Sequence, residues 1–468
     1  MTARIVVAGA ESGVGKTLVT AGLIGALRRR GRVVQPFKCG PDYIDPGWHG
    51  FAAGRPCRNL DPWMTGEAAM RESFARGCEG ADLAVVEGVM GLFDGSQFTG
   101  NAGSTACIAA AIDAPVLLVI DISGSARSAA AVALGFARFD PNLPLAGVVL
   151  NFAGSERHAR GCATAITETT GLPVIGWLPR LASLTAPRRH LGLQLAADYG
   201  EREATLAAAA DAIGERFDLV ALMRIAASAP ALRPAPLVFA PVPAAKGPTL
   251  ALAQDAAFSF YYQDDLDILA AAGAKIAPFS PIAGERLPEG AAGVLLGGGY
   301  PELFGKELAA NEGLWRDLSE LHARGAPILA ECGGFMALAE SLTDGEGVRR
   351  RMAGLAPGEV RMTPRVAALG YRQVTALADT PLVRAGETLR GHEFHYSVWD
   401  LQGAPPAPSW SMRGSRDGEA AVPAGHSEGN LLASYLHVPL AQRPEIAARF
   451  VGQMRDFASR LPSRARAA

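Results

Sequence analysis

The sequence predicts an α/β protein of two domains, a doubly wound parallel sheet followed by a second α/β domain. Three observations carry this. Through the first half, short continuous apolar runs alternate with Ala-rich helical stretches, the pattern of βαβ units whose strands are buried on both faces. The stretch "AASAPALRPAPLVFAPVPAAKGP", dense in Pro and Ala and poor in charge, places a boundary between roughly Ala226 and Lys246, as an interdomain connection would. The α/β rhythm then restarts. A chain of 468 residues also exceeds one ordinary hydrophobic core. The expected domains are residues 1–235 and 246–468.

Taken in order, "RIVVAGA" is the first strand and a helix follows from about Lys16 to Arg30. "RVVQPFK" is the second strand and closes at Lys38, followed by "LAVVEGV", "PVLLVID", "LAGVVLN" and "LPVIGWLP". Beyond the connection come "TLALAQD", "AKIAPFS", "AGVLLGGG" and "APILAECGG". The stretch from about Gly354 to Ser411 reads as mixed, shorter strands. No fixed-period repeat occurs, and the terminal "RLPSRARAA" reads as frayed and solvated.

Composition narrows the function class. Hydrophobic residues make up 49% and charged residues 19%, with a formal net charge of −2. Both signs are dispersed, so no basic stripe points to nucleic acid and no polybasic segment to anionic lipid. The most apolar run, "APVLLVI", falls far short of a membrane span. The N-terminus enters a strand without the charged and apolar regions of a signal peptide. Six cysteines (Cys39, Cys57, Cys78, Cys107, Cys162 and Cys332) form neither a C-x-x-C pair nor a cluster with histidine at metal-ligand spacing. A reduced, cytoplasmic protein is expected.

"GAESGVGKT", Gly9 to Thr17, sits between the first strand and the first helix. The common phosphate loop G-x-x-x-x-G-K-[ST] requires glycine where this chain has Ala10, and Gly9 lies one step earlier. The physical use survives the shift. Backbone N–H groups from Ser12 through Gly13, Val14 and Gly15 to Thr17 can face phosphate oxygens, and the helix N-terminus adds favourable partial charge. Lys16 would reach the β- and γ-phosphates of ATP, and Thr17 would hold Mg²⁺. The loop resembles that of dethiobiotin-synthetase-like ATPases, whose glycine has the spacing of Gly9.

Three more stretches fall at strand ends, where ligands of open α/β sheets gather. "KCGPDYIDP" carries Lys38, Asp42, Tyr43, Ile44 and Asp45. "EGVMGLFDG" carries Glu87, placed as a Walker-B carboxylate for Mg²⁺, and Asp94 on a glycine-bounded loop. "VVLN" ends in Asn151, which is expected to read the adenine edge. Together they supply what phosphoryl transfer requires, a cradle, a metal and carboxylates near the γ-phosphate.

In the second half "PILAECGGFMAL" sets Cys332 between an apolar strand and a helix. This is the layout of a nucleophile elbow, with Ala330 in place of the usual first glycine. The helix N-terminus favours thiolate. Gly298 and Gly299 in "LLGGGYPE" are candidate oxyanion donors. His437, ending "LLASYLH", is a candidate general base. The set resembles a class I glutamine amidotransferase domain, in which Cys attacks the glutamine side-chain amide. The common triad has glutamate two residues after the histidine. Here that residue is Pro439, and Glu393 in "GHEFHYS" is an acid without an assigned place.

Over essentially its full length the chain resembles the cobyrinic (or hydrogenobyrinic) acid a,c-diamide synthases of cobalamin biosynthesis. The resemblance rests on "ESGVGKT", "KCGPDYIDP", "EGVMGLFDG", "RRHLGL" (Arg188 to Leu193), "GGGYPE", "AECGGFMAL", "GHEFHYS" and "YLH". It implies a cytoplasmic ligase that uses ATP, Mg²⁺ and glutamine on a corrinoid substrate. A homodimer is left open. It further implies that Cys332 and His437 release ammonia, and that a ring carboxylate is phosphorylated and then amidated, twice. Thr17 and Glu87 would hold metal, and Asp94 would serve the phosphoryl site. Asp42 would lie by ATP, and Tyr43, Ile44 and Asp45 by the macrocycle. Lys38 would neutralise the transferring phosphoryl group or the substrate acid. Cobyric acid synthases, which lack the "GPDYIDP" type of loop, and nickel-sirohydrochlorin a,c-diamide synthases remain as neighbouring alternatives. Partitioning-type ATPases fit less well, because they carry a lysine near Glu11 and have no glutaminase domain.

Overall fold

A computed structural model describes residues 2–95, 100–143, 145–180, 199–239, 247–401, 408–415 and 418–461. The "RRHLGL" stretch and most of the C-terminal "RLPSRARAA" lie outside the described residues. The chain divides into two compact units, Met1–Pro236 and Leu237–Ala468.

The first unit is built on seven strands: β1 (Ala3–Gly9), β2 (Val34–Cys39), β3 (Arg58–Leu60), β4 (Leu83–Glu87), β5 (Val116–Asp121), β6 (Leu145–Ala153) and β7 (Val174–Pro179). Their order is β3-β2-β4-β1-β5-β6-β7, and every pairing is parallel. From β1 the chain winds to one edge through β2 and β3. It returns beside β1 as β4 and then winds to the other edge. The reversal sets the loop after β1 in the middle of the crevice at the carboxyl ends of the strands.

The continuous apolar runs have the cause expected of them. In β1, Ile5 and Val7 enter one core with Leu23, Ile24 and Leu27 of helix α1 (Lys16–Arg29). Val6 and Ala8 enter the opposite core with Phe37, Val86 and Leu118. Neither face meets water, so each position must be apolar, and each Val, Leu or Ile contributes about 1.5–3 kcal/mol. The polar residue in the run, Arg4, is 2% exposed. Its guanidinium donates to the carbonyls of Ile112 (2.6 Å), Asp113 (3.3 Å) and Pro230 (2.6 Å), tying the end of the unit to its central strand.

The second unit begins β8 (Thr249–Ala253), β9 (Lys275–Phe279), β10 (Ala291–Leu296) and β11 (Ile328–Glu331). The mixed region follows as β12 (Ser341–Thr343), β13 (Arg349–Arg351), β14 (Glu359–Met362), β15 (Ala368–Ala376), β16 (Thr388–His395), β17 (Ser397–Asp400), β18 (Trp410–Gly414) and β19 (Val422–Ala424). It makes two four-stranded sheets, β13-β12-β14-β17 and β16-β15-β18-β19. The main sheet has the order β20-β21-β11-β10-β8-β9, where β20 is His426–Glu428 and β21 is Leu431–Ser434. All its pairings are parallel except that of edge strand β20. Strands β10, β11 and β21 are adjacent, so the residues that follow them come together. Among the described residues no helix is long and apolar enough to cross a membrane.

Arg4→Ala removes the donor from three carbonyls, one of them at a buried contact and two at part-buried ones. It should cost the first unit on the order of 3 kcal/mol, read as a lowered urea midpoint in its unfolding.

Candidate active sites

In the first unit the displaced glycine has a steric reason. A Cβ at Gly9 would lie 2.8 Å from Val14 Cγ2 and 2.9 Å from Lys16 Nζ. Any larger residue would push the lysine out of the loop. Lys16 is buried and donates to the carbonyls of Glu11 and Met90. The second of these lies on the loop after β4. That loop also lies against β1 through Leu92 N–H, which donates to Gly9 O at 2.8 Å. Burial lowers the Lys16 pKa against the pull of Glu87. Gly13 and Gly15, both left-handed, shape the turn into α1.

Beneath the loop stands Glu87, last residue of β4 and 1% exposed. Three donors surround its carboxylate. Thr17 Oγ1 donates to Oε1 at 2.8 Å and Lys38 Nζ lies 3.1 Å from the same oxygen. His49 Nε2 meets Oε2. Burial alone would raise this carboxyl, but Lys38 and His49 outweigh it and hold it at about 2. Lys38, 3% exposed, also pairs with Asp45 at 2.7 Å and Asp42 at 3.8 Å. Burial works against its charge, yet Glu87 and Asp45 raise it well above the usual lysine range. Asp45 is pushed up to about 7, first by burial and then by Glu87.

Asp42 Oδ1 accepts from the N–H groups of Ile44 (2.8 Å) and Asp45 (3.2 Å), shaping entry into helix α2 (Asp45–Ala53). Tyr43 and Ile44 are half-buried on that turn. Asp94 is exposed, with Oδ2 accepting from Gly91 N–H at 2.9 Å. Asn151 is tied to the phosphate loop. Its Nδ2 donates to Val14 O at 2.7 Å and its Oδ1 accepts from Phe152 N–H at 2.9 Å. The residue is 2% exposed, and both ends of its amide are engaged at the phosphate loop and its own strand end.

The donor set fits Mg²⁺. Magnesium takes oxygen ligands at about 2.1 Å in octahedral geometry, which puts neighbouring oxygens about 3.0 Å apart. Thr17 Oγ1 and Glu87 Oε1 are 2.8 Å apart. Both are hard oxygen donors beside the phosphate loop.

In the second unit Cys332 has φ 48° and ψ −104°. This is a strained left-handed-side conformation for a non-glycine residue, as at a nucleophile elbow. The following helix is only six residues, Gly333–Leu338. Packing dictates its glycines. A Cβ at Gly334 would run into the Leu296 backbone of β10, and one at Gly333 would sit 2.9 Å from Gly299 N. The elbow is thereby pressed against Leu296 and Gly299. His437 is 2% exposed and follows β21. Its backbone exchanges two hydrogen bonds with His392 of β16, at 2.9 and 3.1 Å. Its ring bonds the Cys332 side chain and lies against Gly298. Burial disfavours imidazolium, but Cys332 and Glu331 push His437 up to about 10. Glu393 is now placed, in a buried ion pair with Arg372 at 2.9 Å.

The comparisons give a nucleotide-binding domain in the first unit and a glutamine amidotransferase domain in the second. Residues 5–193 match the CobQ/CobB/MinD/ParA nucleotide binding domain, and residues 249–445 match the CobB/CobQ-like glutamine amidotransferase domain. The cobyrinate a,c-diamide synthase of Dehalococcoides mccartyi strain 195 is 42% identical over 463 residues, spanning 97% of this chain and 98% of that protein. The hydrogenobyrinate a,c-diamide synthase of Streptomyces coelicolor is 41% identical over 97% of each chain. That of Mycobacterium bovis is 43% identical over 96% of this chain and 97% of the relative.

The chain belongs to the cobyrinate/hydrogenobyrinate a,c-diamide synthase family.

Two residues of this family member escaped the sequence reading. His49 lies four residues after Asp45 on α2, so helical spacing brings it to the face of Asp45, a signal present in "DPGWH". Its Nδ1 is buried and has no hydrogen-bond partner among the described residues. Glu331 was hidden by its position directly before Cys332, where strand alternation points it away from the nucleophile's side.

Lys38→Met leaves Glu87 buried and short of its main counter-charge. It should cost the first unit about 3–5 kcal/mol, measured by urea unfolding, and weaken MgATP binding. The sign for His437 is opposite to that of a carboxylate, because its folded pKa is raised from 6.5 to about 10. The stability it contributes is fully present below pH 6.5 and lost as pH rises through about 10. The difference in urea midpoint between the native chain and His437→Asn should therefore shrink steadily between pH 6 and pH 10.

Proposed function

We propose that this chain amidates the a and c acetate carboxylates of a corrin ring, with glutamine as nitrogen donor and ATP as the source of activation, in cobalamin biosynthesis. The observation that carries the reading is the presence, on one chain, of a buried Thr17–Glu87–Lys38 cluster under a phosphate loop and a strained Cys332 bonded to His437. The names of the relatives supply the ring.

At the glutaminase site His437 takes the Cys332 proton and the sulfur attacks the glutamine side-chain carbonyl. N–H groups of Gly298 and Gly299 face the developing oxyanion. His437 then returns the proton to the leaving nitrogen, the C–N bond breaks and ammonia departs. Water cleaves the thioester to glutamate. At the synthetase site the N–H groups from Gly13 to Thr17 cradle the phosphates and Lys16 swings from its carbonyl partners to phosphate oxygens. Thr17 and Glu87 would hold Mg²⁺, which supplies charge neutralisation at the transferring phosphoryl group. Lys38, flanked by Asp42 and Asp45, offers the cation nearest an incoming ring carboxylate, with Tyr43 and Ile44 as apolar neighbours for the macrocycle. Asp94 lies on the facing loop. The carboxylate is converted to an acyl phosphate, since carboxylate oxygen is a poor leaving group and phosphate a good one, and ammonia displaces phosphate. Six unbonded thiols suit a reducing cytoplasm.

The test is mass spectrometry of products formed from hydrogenobyrinic or cobyrinic acid with ATP, Mg²⁺ and glutamine. Two successive OH-to-NH₂ mass changes on one ring are expected. In Cys332→Ser they should occur with ammonium and vanish with glutamine. No change on either ring, with glutaminase present, would exclude the proposed acceptor.

A further inference from the structure

The family's glutaminase half is recognised by a cysteine and a histidine, and the position two residues after that histidine holds Pro439. A buried histidine that shuttles protons needs something to fix its ring and steady its charge. Several titratable groups surround His437. Cys332 and Glu331 lie at the end of β11. Asp265 approaches from the helix Gln263–Ala271, and His392, Glu393 and His395 from β16.

Glu393 is engaged by Arg372. Asp265 accepts from Leu440 N–H at 2.7 Å. Burial and the Glu331 charge hold it well above the ordinary carboxylate range. His392 and His395 are both lowered by burial and remain uncharged. Glu331 differs. Its Oε2 lies 3.7 Å from His437 Nδ1, an ion-pair distance. Its Oε1 accepts from Val438 N–H, the next residue along, at 3.1 Å. One carboxylate thus faces the ring and accepts from the backbone of the histidine segment. With Nδ1 turned to Glu331, Nε2 is left for the sulfur.

We infer that Glu331 is the orienting carboxylate of a Cys332–His437–Glu331 triad, supplied from the strand that carries the nucleophile instead of from the segment that carries the histidine. It holds the imidazole in the tautomer and direction needed to exchange a proton with Cys332. The 3.7 Å spacing closes to a hydrogen bond when glutamine fills the site, as catalytic hydrogen bonds commonly do. Glu331 is a positioning residue and touches no substrate atom. The inference rests on the glutaminase reading above.

Glu331→Gln tests it, because the amide oxygen can still accept from Val438 N–H while the charge is gone. Glutamine-driven turnover should fall about 100- to 10,000-fold, as when a triad acid becomes an amide, with KM for glutamine changed less than about threefold. The ratio of glutamine-driven to ammonium-driven amide synthesis should fall by the same factor. The pH profile of Cys332 alkylation by iodoacetamide should shift from that of the native chain. Glutamine turnover within about threefold of native, or an equal fall in ammonium-driven synthesis, overturns the inference. A native chain that makes amide from ammonium but releases no ammonia from glutamine overturns the glutaminase reading, and an effect specific to Glu331→Gln could not then arise.

Discussion

The first unit depends on one carboxylate removed from water. Glu87 ends the strand next to β1, and an ion buried this deeply is tolerated only if its neighbours return what hydration would have given. Thr17 from α1, Lys38 from β2 and His49 from α2 each supply one donor. The loops after three different strands are therefore joined through a single side chain. The phosphate loop, the Asp42–Asp45 turn and the Asp94 loop are positioned by that junction, which explains why polar residues far apart in sequence share one place.

The second unit solves a different problem. It needs a reactive sulfur presented at the end of a buried strand, and it accepts a strained Cys332 backbone to obtain one. Close packing holds that strain. Gly333 and Gly334 let the elbow approach the β10 loop, Gly298 lets the histidine ring approach the loop from the other side, and Cys332 N–H donates to Ser434 O at 2.7 Å.

Much of this was legible in the chain. Parallel strands announced themselves because both faces are buried, and the phosphate loop and the elbow because backbone constraints leave glycine in fixed places. What stayed hidden was partnership. Asn151 ends its strand where a base-reading residue would, and nothing in "VVLN" says that its amide turns back to Val14. His49 was present at helical spacing, but only the fold shows that it reaches Glu87. Glu331 was read as part of an elbow motif because no sequence rule ties a residue to a histidine more than a hundred positions later. Pro439 marked the missing acid without saying where its replacement stood.

Glu331 and Cys332 are consecutive residues, so their Cα atoms are separated by the fixed length of one trans peptide. Aligning a conventional triad is a three-body problem, since each member rides on its own segment. Here two of the bodies are covalent neighbours, and the remaining freedom is the placement of one segment, Tyr435 to Val438, against the end of β11. Two hydrogen bonds, Cys332 N–H to Ser434 O and Val438 N–H to Glu331 Oε1, pin that segment at either end of the histidine. Thermal breathing of the surrounding sheets can then tilt the whole assembly without changing the separation of the two Cα atoms from which acid and nucleophile project.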